Sequence, residues 1–474
     1  MSHSEDRLTS GQLGTADVTA STVANIGPGI DFYFAFGVIA VTAGVAAPLT
    51  IVAAGVAVGF LAFTVAEFTR VEPSAGSFIT YVETALGARA GVATALLVTV
   101  GYTVAITAVF AMSGGMVAMT LAHYTSWHPA WGPLSLVLTA GAIWLTMRGL
   151  KLSTTAVGAA VVLQVVIMAV VCVVVLVDQR GHLSGVPFSW SHLTGGLTGL
   201  SVGFPLALYM FIGWENGPAL AEESRNPSRT VPRALYISVA IASVLFVFFA
   251  YATITGFNYD VSSIGRSSVP FLTVADHYLR GAAVAAWIAG IISVLATLVS
   301  AADSQSRMLF DGGRTGLLPA RLGQVRPRYG TPVNALLVMA GAGLGIIAVW
   351  WVTHLISGDT GSMDPVGLYA ECSTMGTIVI LFVYFLTAVS LPVFMWRRHR
   401  ESFSPFRHVA IPVLGSLTLI VPLVELFKPG QPAPYSEFPF IALAIAAAAA
   451  VIACLVVHRH PRTGAGEGAA HTET

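Results

Sequence analysis

Two carboxyl groups, those of Asp31 and Glu215, lie inside long apolar segments, within runs that contain glycine and proline. The first run is Asn25-Ile26-Gly27-Pro28-Gly29-Ile30-Asp31, and the second is Phe211-Ile212-Gly213-Trp214-Glu215-Asn216-Gly217-Pro218. Both runs predict a break in a helix, because glycine is unfavourable in a helix interior and proline has no N–H to donate. A carboxyl group beside such a break is placed to bind an ammonium group or to carry a proton.

Breaks of this kind expose backbone groups that bind a zwitterion. The half-helix that starts at the first break offers the amides of Gly29 and Ile30, and its positive end attracts a carboxylate. The half-helix that ends at the second break offers carbonyl groups around Tyr209, Met210 and Ile212, which attract an ammonium group. The sequence therefore predicts an amino acid site between the two breaks. A plain proline kink in the first run is the alternative.

The side chains beside the breaks each have a functional and a structural interpretation. Asp31 can carry the coupled proton or pair with a substrate ammonium, which favours amines or cationic amino acids. Equally, it can cap the second half-helix, because a carboxylate near a helix N-terminus accepts backbone hydrogen bonds. Glu215 lies among apolar neighbours, which suits proton coupling, and its alternative role is to bind backbone amides of the unwound segment. Trp214 either lines the site or braces the scaffold.

The composition predicts an integral membrane protein. Of the 474 residues, 55% are hydrophobic and 10% are charged, whereas about 25% of residues are charged in a soluble domain. A membrane-spanning helix needs about 20 apolar residues, and the chain contains twelve candidate segments of suitable character. In chain order, segments 1 to 12 are 16–45, 50–69, 91–121, 132–148, 154–177, 199–224, 234–257, 283–310, 333–355, 366–395, 409–427 and 438–457.

Basic residues predict the orientation of these segments. Of the 23 lysines and arginines, only Arg180, Arg266, Arg280 and Lys428 fall in loops on the predicted outer side. The other 19 lysines and arginines fall on the opposite side. An excess of basic residues on one side is typical of cytoplasmic loops. We therefore expect a protein of the cytoplasmic (inner) membrane. Both ends, 1–15 and 458–474, are expected in the cytoplasm, the second of them as a disordered tail.

Segments 1 and 6 carry the two breaks, and this spacing predicts an internal repeat. Segments 1–5 span 16–177, segments 6–10 span 199–395, and segments 11 and 12 span 409–457. Because five is odd, the second set enters the membrane from the opposite side, as in an inverted repeat with its site at the midplane. The predicted fold is an all-α integral membrane protein of twelve transmembrane helices, with a 5+5 inverted repeat and two extra C-terminal helices.

Several motifs resemble those of the amino acid–polyamine–organocation permeases. Gly27-Pro28-Gly29-Ile30 is similar to the family signature Gly-Ser/Ala-Gly-Ile/Val, and 211–215 together with 222–234 is the most specific match. The resemblance extends to the first cytoplasmic loop, at 73–77, and to the end of segment 8, at Ser306-Arg307. It implies a leucine-transporter-type fold that carries amino acids or amines by proton-coupled symport or by exchange.

The resemblance also implies roles for individual residues. Glu215 occupies the position where some exchangers of the family carry a proposed proton-sensing glutamate, and Tyr209 occupies that of an aromatic gate over the substrate. Asp31 stands where the family usually has an apolar or aromatic residue. Gln164 stands where many proton-dependent relatives carry a lysine, so lysine-based coupling is not carried over. Tyr102, in segment 3, is a further candidate for the pocket wall.

Other function classes find less support in the sequence. It contains no phosphate-binding loop, His-Glu-x-x-His motif or nucleophile elbow, so an enzyme is not expected. A cofactor, a metal site and nucleic-acid binding are not expected either. The expected function is secondary active transport of an amino acid or related amine by alternating access, as proton-coupled symport, by a monomer or homodimer. Exchange is the first alternative, and a channel or a transporter-like sensor is a weaker one.

Overall fold

The computed structural model describes an all-helical chain. It covers residues 11–74, 76–147, 154–196, 200–326, 331–357, 363–429, 431 and 433–459. Within these ranges no β-strand forms, and extended pairing is limited to two isolated bridges, Leu13 with Ser224 and Arg326 with Thr331. Most of the two predicted tails, residues 1–10 and 460–474, lies outside the described residues.

The α-helices of the described ranges are numbered here in chain order. They are α1 (Thr15–Ile26), α2 (Pro28–Ala43), α3 (Ala47–Val71), α4 (Phe78–Leu86), α5 (Ala88–Tyr124), α6 (Trp131–Met147), α7 (Thr154–Asp178), α8 (Leu200–Tyr209), α9 (Asn216–Ala219), α10 (Pro227–Gly256), α11 (Val261–Gly265), α12 (Pro270–Leu279), α13 (Val284–Arg314), α14 (Val333–Ser357), α15 (Pro365–Arg398), α16 (Ile411–Leu426) and α17 (Phe438–Arg459).

Each of the twelve predicted segments contains helix. Segment 1 corresponds to α1 and α2, segment 6 to α8 and α9, and every other segment to one helix. The largest difference between a predicted and an observed boundary is at the start of α10. This helix begins at Pro227 rather than at the predicted 234, because proline is well suited to the first turn of a helix. Among the described residues, eight helical stretches are long and apolar enough to cross a membrane, and the first, Thr15–Val71, holds α1 to α3. The chain is a multi-pass membrane protein.

The first predicted break occurs at Gly27. This residue has φ 67° and ψ 58°, so it lies in the left-handed region and ends α1. Pro28 then occupies the first position of α2, where its fixed φ suits a helix start and its missing N–H removes no intrahelical bond. A Cβ at Gly27 would lie 2.3 Å from Thr297 Oγ1, so both the backbone angle and the space require glycine here.

The second predicted break separates α8 from α9. The helix ends at Tyr209, and residues 210–215 form a series of turns before α9 begins at Asn216. Gly213 has φ +105°, a conformation that glycine adopts without steric cost. The interruption is therefore a stretch of irregular backbone, whereas the first break is confined to one residue.

Long helices surround the two breaks. The α5 helix, of 37 residues, lies against α15, and α3 lies against α10. The α1 and α2 helices contact α13, α10 and α7. The outward face of α7 carries exposed valines, among them Val162, Val166 and Val173. Such an apolar surface is costly in water and is satisfied by lipid.

Candidate functional site

The two helix breaks touch each other. A Cβ at Gly213 would lie 2.7 Å from the carbonyl carbon and oxygen of Asn25, so the irregular backbone after α8 packs directly on the end of α1. The Asn25 side chain crosses the same contact, because its Nδ2 donates to the Gly213 carbonyl oxygen at 3.4 Å. Residues separated by 188 positions in sequence thus form one structural unit.

A cavity lies beside this contact, between α1, α2, α5, α13 and the end of α8. Six of the residues singled out from the sequence line it, namely Asn25, Asp31, Tyr102, Tyr209, Ile212 and Glu215. The remaining lining residues are Ala105, Ile106, Val109, Gly213, Thr297, Ala301, Ser304, Gln305 and Met308. The structure therefore brings both carboxyl groups of the broken segments to the wall of a single cavity.

Asp31 lies in the first turn of α2, with its side chain buried. Its Oδ1 accepts a hydrogen bond of 2.9 Å from the hydroxyl of Tyr369, on α15. The ring of Tyr209 meets the edge of Tyr369 at 5.6 Å, and the Tyr209 hydroxyl donates to the Ala105 carbonyl oxygen at 3.1 Å. Asp31 thus belongs to a cluster of aromatic residues on one side of the cavity.

Glu215 lies just before α9 and is also buried. The Tyr102 hydroxyl donates to its Oε1, and the backbone N–H of Gly213 donates to its Oε2 at 3.0 Å. One carboxyl oxygen therefore holds the unwound backbone, as the structural interpretation expects, while the other pairs with a tyrosine that lines the cavity.

Trp214 and Met210 are buried but are not part of the cavity wall. The Trp214 Nε1 donates to the Tyr384 hydroxyl at 3.1 Å, and its ring meets Phe78 edge-on at 6.2 Å. The indole therefore braces the second break against α4 and α15. Glu215, the next residue, binds Tyr102 and the Gly213 N–H instead, so these two adjacent side chains of the irregular segment have different partners.

Helix α13 supplies hydroxyl groups that satisfy the backbone of the first break. The Ile30 N–H donates to Ser293 Oγ at 2.8 Å, and Thr297 Oγ1 donates to the Ala24 carbonyl oxygen at 3.3 Å. A Cβ at Gly29 would lie 2.7 Å from Ser293 Oγ and 3.1 Å from Gln164 Oε1. Gln164 is buried behind Gly29, away from the cavity, and neither atom of its amide makes a hydrogen bond.

The backbone groups expected to bind a zwitterion are partly occupied. The Ile30 amide is bound to Ser293, and the Tyr209 carbonyl oxygen accepts from the Ile212 N–H at 2.8 Å. Ile26, Gly27, Pro28, Gly29 and Ile30 lie next to the cavity without lining it. Within the first break, the side chains that reach the cavity are those of Asn25 and Asp31.

Several residues of the site carried no signal in the sequence. Tyr369 and Tyr384 lie in α15, far from either break in sequence, and Ser304 and Gln305 lie in α13 without a recognisable motif. Ser293 and Thr297 differ by four positions, which places them on one face of α13. This spacing indicates a polar face on α13. The structure shows that the backbone of the first break lies against that face.

Charged side chains connect the helix ends beyond the cavity. Arg307 pairs with Glu223 and, at 3.0 Å, with Asp303. The carbonyl oxygen of Glu223 also accepts from the backbone N–H groups of Gln12 and Leu13, so this pair joins α13 to the start of the described chain. A second group centres on Glu67, which pairs with Arg70, Arg407 and His408 at 2.5, 2.9 and 3.2 Å.

The comparison with protein families decides the class. The model of the family described as amino acid permease matches residues 13–454, which is nearly the whole described chain. The chain belongs to the amino acid permease family. This confirms the resemblance drawn from the motifs around the two breaks. As a permease, the protein is a transporter of small molecules across a membrane and not an enzyme.

Individual members of the family are similar over most of their length. The chain is 25% identical to the branched-chain amino acid permease BcaP of Bacillus subtilis over 88% of each protein. It is 24% identical to the methylthioribose transporter of the same organism over 82% of each. It is 26% identical to the low-affinity putrescine importer PlaP of Escherichia coli over 77% of each. The similarity therefore extends across the helices that form the cavity.

Proposed function

We propose that this permease is a secondary active transporter that moves an amino acid or a related amine across the cytoplasmic (inner) membrane by alternating access, in symport with protons. The observation that carries this function is the contact between the breaks at Asn25 and Gly213, with Asp31 and Glu215 on the wall of one cavity. Irregular backbone persists inside a membrane where it lines a cavity or binds a ligand. Broken helices in corresponding positions are typical of transporter substrate sites.

The proposed architecture is an inverted repeat. Helices α1–α7 and α8–α15 each form five crossings, α16 and α17 complete twelve, and both termini lie in the cytoplasm. Helices α1–α3 and α8–α10 move together against the remaining helices to expose the cavity to either side. The position of one break at the start of each half supports this arrangement. The protein acts as a monomer or a homodimer.

Glu215 is the proposed proton carrier. Its Oε1 is held by Tyr102 at the cavity wall, so a change in its protonation alters a hydrogen bond next to the substrate. Its Oε2 is held by the Gly213 amide, so the same change also alters the backbone at the second break. Gln164 is neutral and cannot take over this role. Asp31 is the proposed partner of the substrate ammonium.

Two of the three relatives have names that match the proposed substrate types, one an amino acid and one an amine. The three names specify branched-chain amino acids, methylthioribose and putrescine. From these names we take an amino acid and an amine as the candidate substrates of this chain.

Uptake by the purified chain in proteoliposomes tests the proposal. A panel of labelled neutral, acidic and cationic amino acids and simple amines is offered with and without an inward proton gradient. Saturable uptake that the gradient stimulates is the expected result. Uptake that requires internal unlabelled substrate and ignores the gradient would replace symport by exchange, and uptake of no panel member would refute transport of amino acids and amines.

A further inference from the structure

The cavity presents hydrogen-bond acceptors that have no donor. Asn25 Oδ1 and Gln305 Oε1 are buried in the cavity wall, and neither has a hydrogen-bond partner. The Asn25 amide is oriented by its Nδ2, which donates to the Gly213 carbonyl oxygen, so its oxygen is the atom left free. The carboxyl groups of Asp31 and Glu215 add further acceptors to the same wall. Buried acceptors without donors are costly, so a ligand that supplies donors is favoured.

Three of the four hydroxyl groups of the cavity wall, all but that of Ser304, already donate to the protein. The Tyr102 hydroxyl donates to Glu215, the Tyr209 hydroxyl to the Ala105 carbonyl oxygen, and the Thr297 hydroxyl to the Ala24 carbonyl oxygen. A hydroxyl has one proton to donate. These three groups therefore have no donor left for a ligand.

The start of α2 offers fewer amides than a helix start normally does. A helix leaves about four N–H groups without intrahelical partners at its start. Here the Gly27 N–H donates to the Val23 carbonyl oxygen at 3.2 Å, Pro28 has no N–H, and the Ile30 N–H donates to Ser293. Gly29 alone among these positions keeps its amide for a ligand. The Asp31 carboxyl, in the same first turn, repels an anion from this helix end.

No cationic side chain compensates for these missing donors. The residues that line the cavity include two carboxyl groups and no lysine, arginine or histidine. Arg307, further along α13, is held by Glu223 and Asp303. A ligand carboxylate would enter this cavity without a counter-charge, and burial of an unpaired charge is expensive.

We propose, on the basis of the transport function proposed above, that the site selects primary alkylammonium ions that lack a carboxylate, such as alkylamines and diamines. The corresponding α-amino acids are discriminated against. The ammonium group donates to Asp31 and to Asn25 Oδ1, while Gln305 Oε1 and Glu215 supply further acceptors of the cavity wall. Pro28 and Ser293 are specificity-determining residues that act from beside the cavity, because they remove two amides of the adjacent helix start to which a substrate carboxylate would otherwise bind.

The test compares amines with the amino acids from which they differ by one carboxylate. Proteoliposomes of the full chain are loaded with unlabelled compound and offered labelled leucine or isoamylamine, alanine or ethylamine, and ornithine or 1,4-diaminobutane. Each amine is expected to exceed its amino acid by about tenfold or more, as the loss of one hydrogen bond to a charged group implies. Amino acid uptake equal to or above amine uptake would overturn the selectivity and leave the proposed transport intact. Absence of all uptake would overturn both.

Two substitutions examine the cause of the selectivity. Pro28→Ala restores an N–H at the start of α2, and Ser293→Ala releases the Ile30 amide; each is expected to raise the ratio of amino acid to amine uptake. Either variant suffices if the other does not fold, which melting curves reveal. An unchanged ratio in the folded variants would overturn the assignment of these two residues.

Asp31→Asn tests the ammonium partner, with Glu371→Gln as its matched control. Glu371 is a carboxyl of α15 that accepts from Trp350 Nε1 at 3.2 Å and does not line the cavity. Amine uptake is expected to fall by about tenfold or more in Asp31→Asn and to persist in Glu371→Gln. Equal uptake by the two variants would refute the role of Asp31.

Discussion

The hydroxyl of Tyr369 donates a hydrogen bond of 2.9 Å to Oδ1 of Asp31 and thereby joins α15 to the first turn of α2. Both side chains are buried, and 338 positions separate them in sequence. Helix α2 follows the first break and is part of the body that we propose to move, whereas α15 belongs to the helices that stay in place in the same proposal. The bond therefore connects a proposed substrate ligand to the boundary between the two bodies.

Tyr369→Phe is expected to destabilise the protein by about 1–3 kcal/mol, because a buried carboxyl loses its hydrogen-bond donor. The same substitution in the Asp31→Asn background should cost less, since the charged acceptor is already gone. Thermal unfolding of the unmodified chain, the two single variants and the double variant measures the coupling energy between Tyr369 and Asp31. Equal costs in both backgrounds would show that the two residues do not stabilise each other.

Glu215→Gln is expected to abolish stimulation of uptake by a proton gradient while leaving exchange of labelled for unlabelled substrate. Glutamine keeps the length of the side chain, and its single oxygen can still accept from the Gly213 N–H while its Nε2 donates to the Tyr102 hydroxyl oxygen, but it has no titratable proton. Uptake and exchange are measured in the same liposomes over a range of pH. Gradient-stimulated uptake by the variant would contradict the role of Glu215 as proton carrier.

Gly213→Ala is expected to destabilise the fold by at least about 1–3 kcal/mol, because a Cβ is strained at φ +105° and would lie 2.7 Å from the Asn25 backbone. Gly341→Ala is the control, since a Cβ at that position of α14 meets nothing within 4 Å. This control should be neutral or slightly stabilising, as alanine favours a helix. The melting temperature should therefore fall in Gly213→Ala and stay the same or rise slightly in Gly341→Ala, each measured against the unmodified chain.

Arg307→Ala is expected to open the cavity on the side of the Arg307–Glu223 pair, because that pair joins α13 to residues 12–13 and 223. Access is measured with an aqueous thiol reagent at Ala301→Cys, a cavity position, after Cys454→Ser removes the exposed native thiol. Faster labelling is expected in the Arg307→Ala background. Arg400→Ala, which removes a guanidinium stacked on Trp396 instead, should leave the labelling rate unchanged.

The local sequence determined both helix breaks. Gly27, Pro28 and Gly213 act through their own backbone preferences, which no distant residue needs to specify. Hydropathy over windows of about 20 residues located the apolar helices for the same reason, since it depends on consecutive residues. Asp31 and Glu215 could be identified from the sequence because a carboxyl group is rare in an apolar segment, and this does not depend on how the segment packs.

The partners of these residues were decided by the tertiary structure. Hydropathy does not specify which face of one helix meets which face of another, so the pairing of Tyr369 with Asp31 and of Ser293 with Ile30 could not be predicted from the sequence. Trp214 and Glu215 lie in irregular backbone, where side-chain direction has no period, so their partners Tyr384 and Tyr102 could not be predicted either. The sequence determined where the helices break and where the carboxyl groups lie along the chain. Helix packing alone decided which donors and acceptors remain available at the cavity.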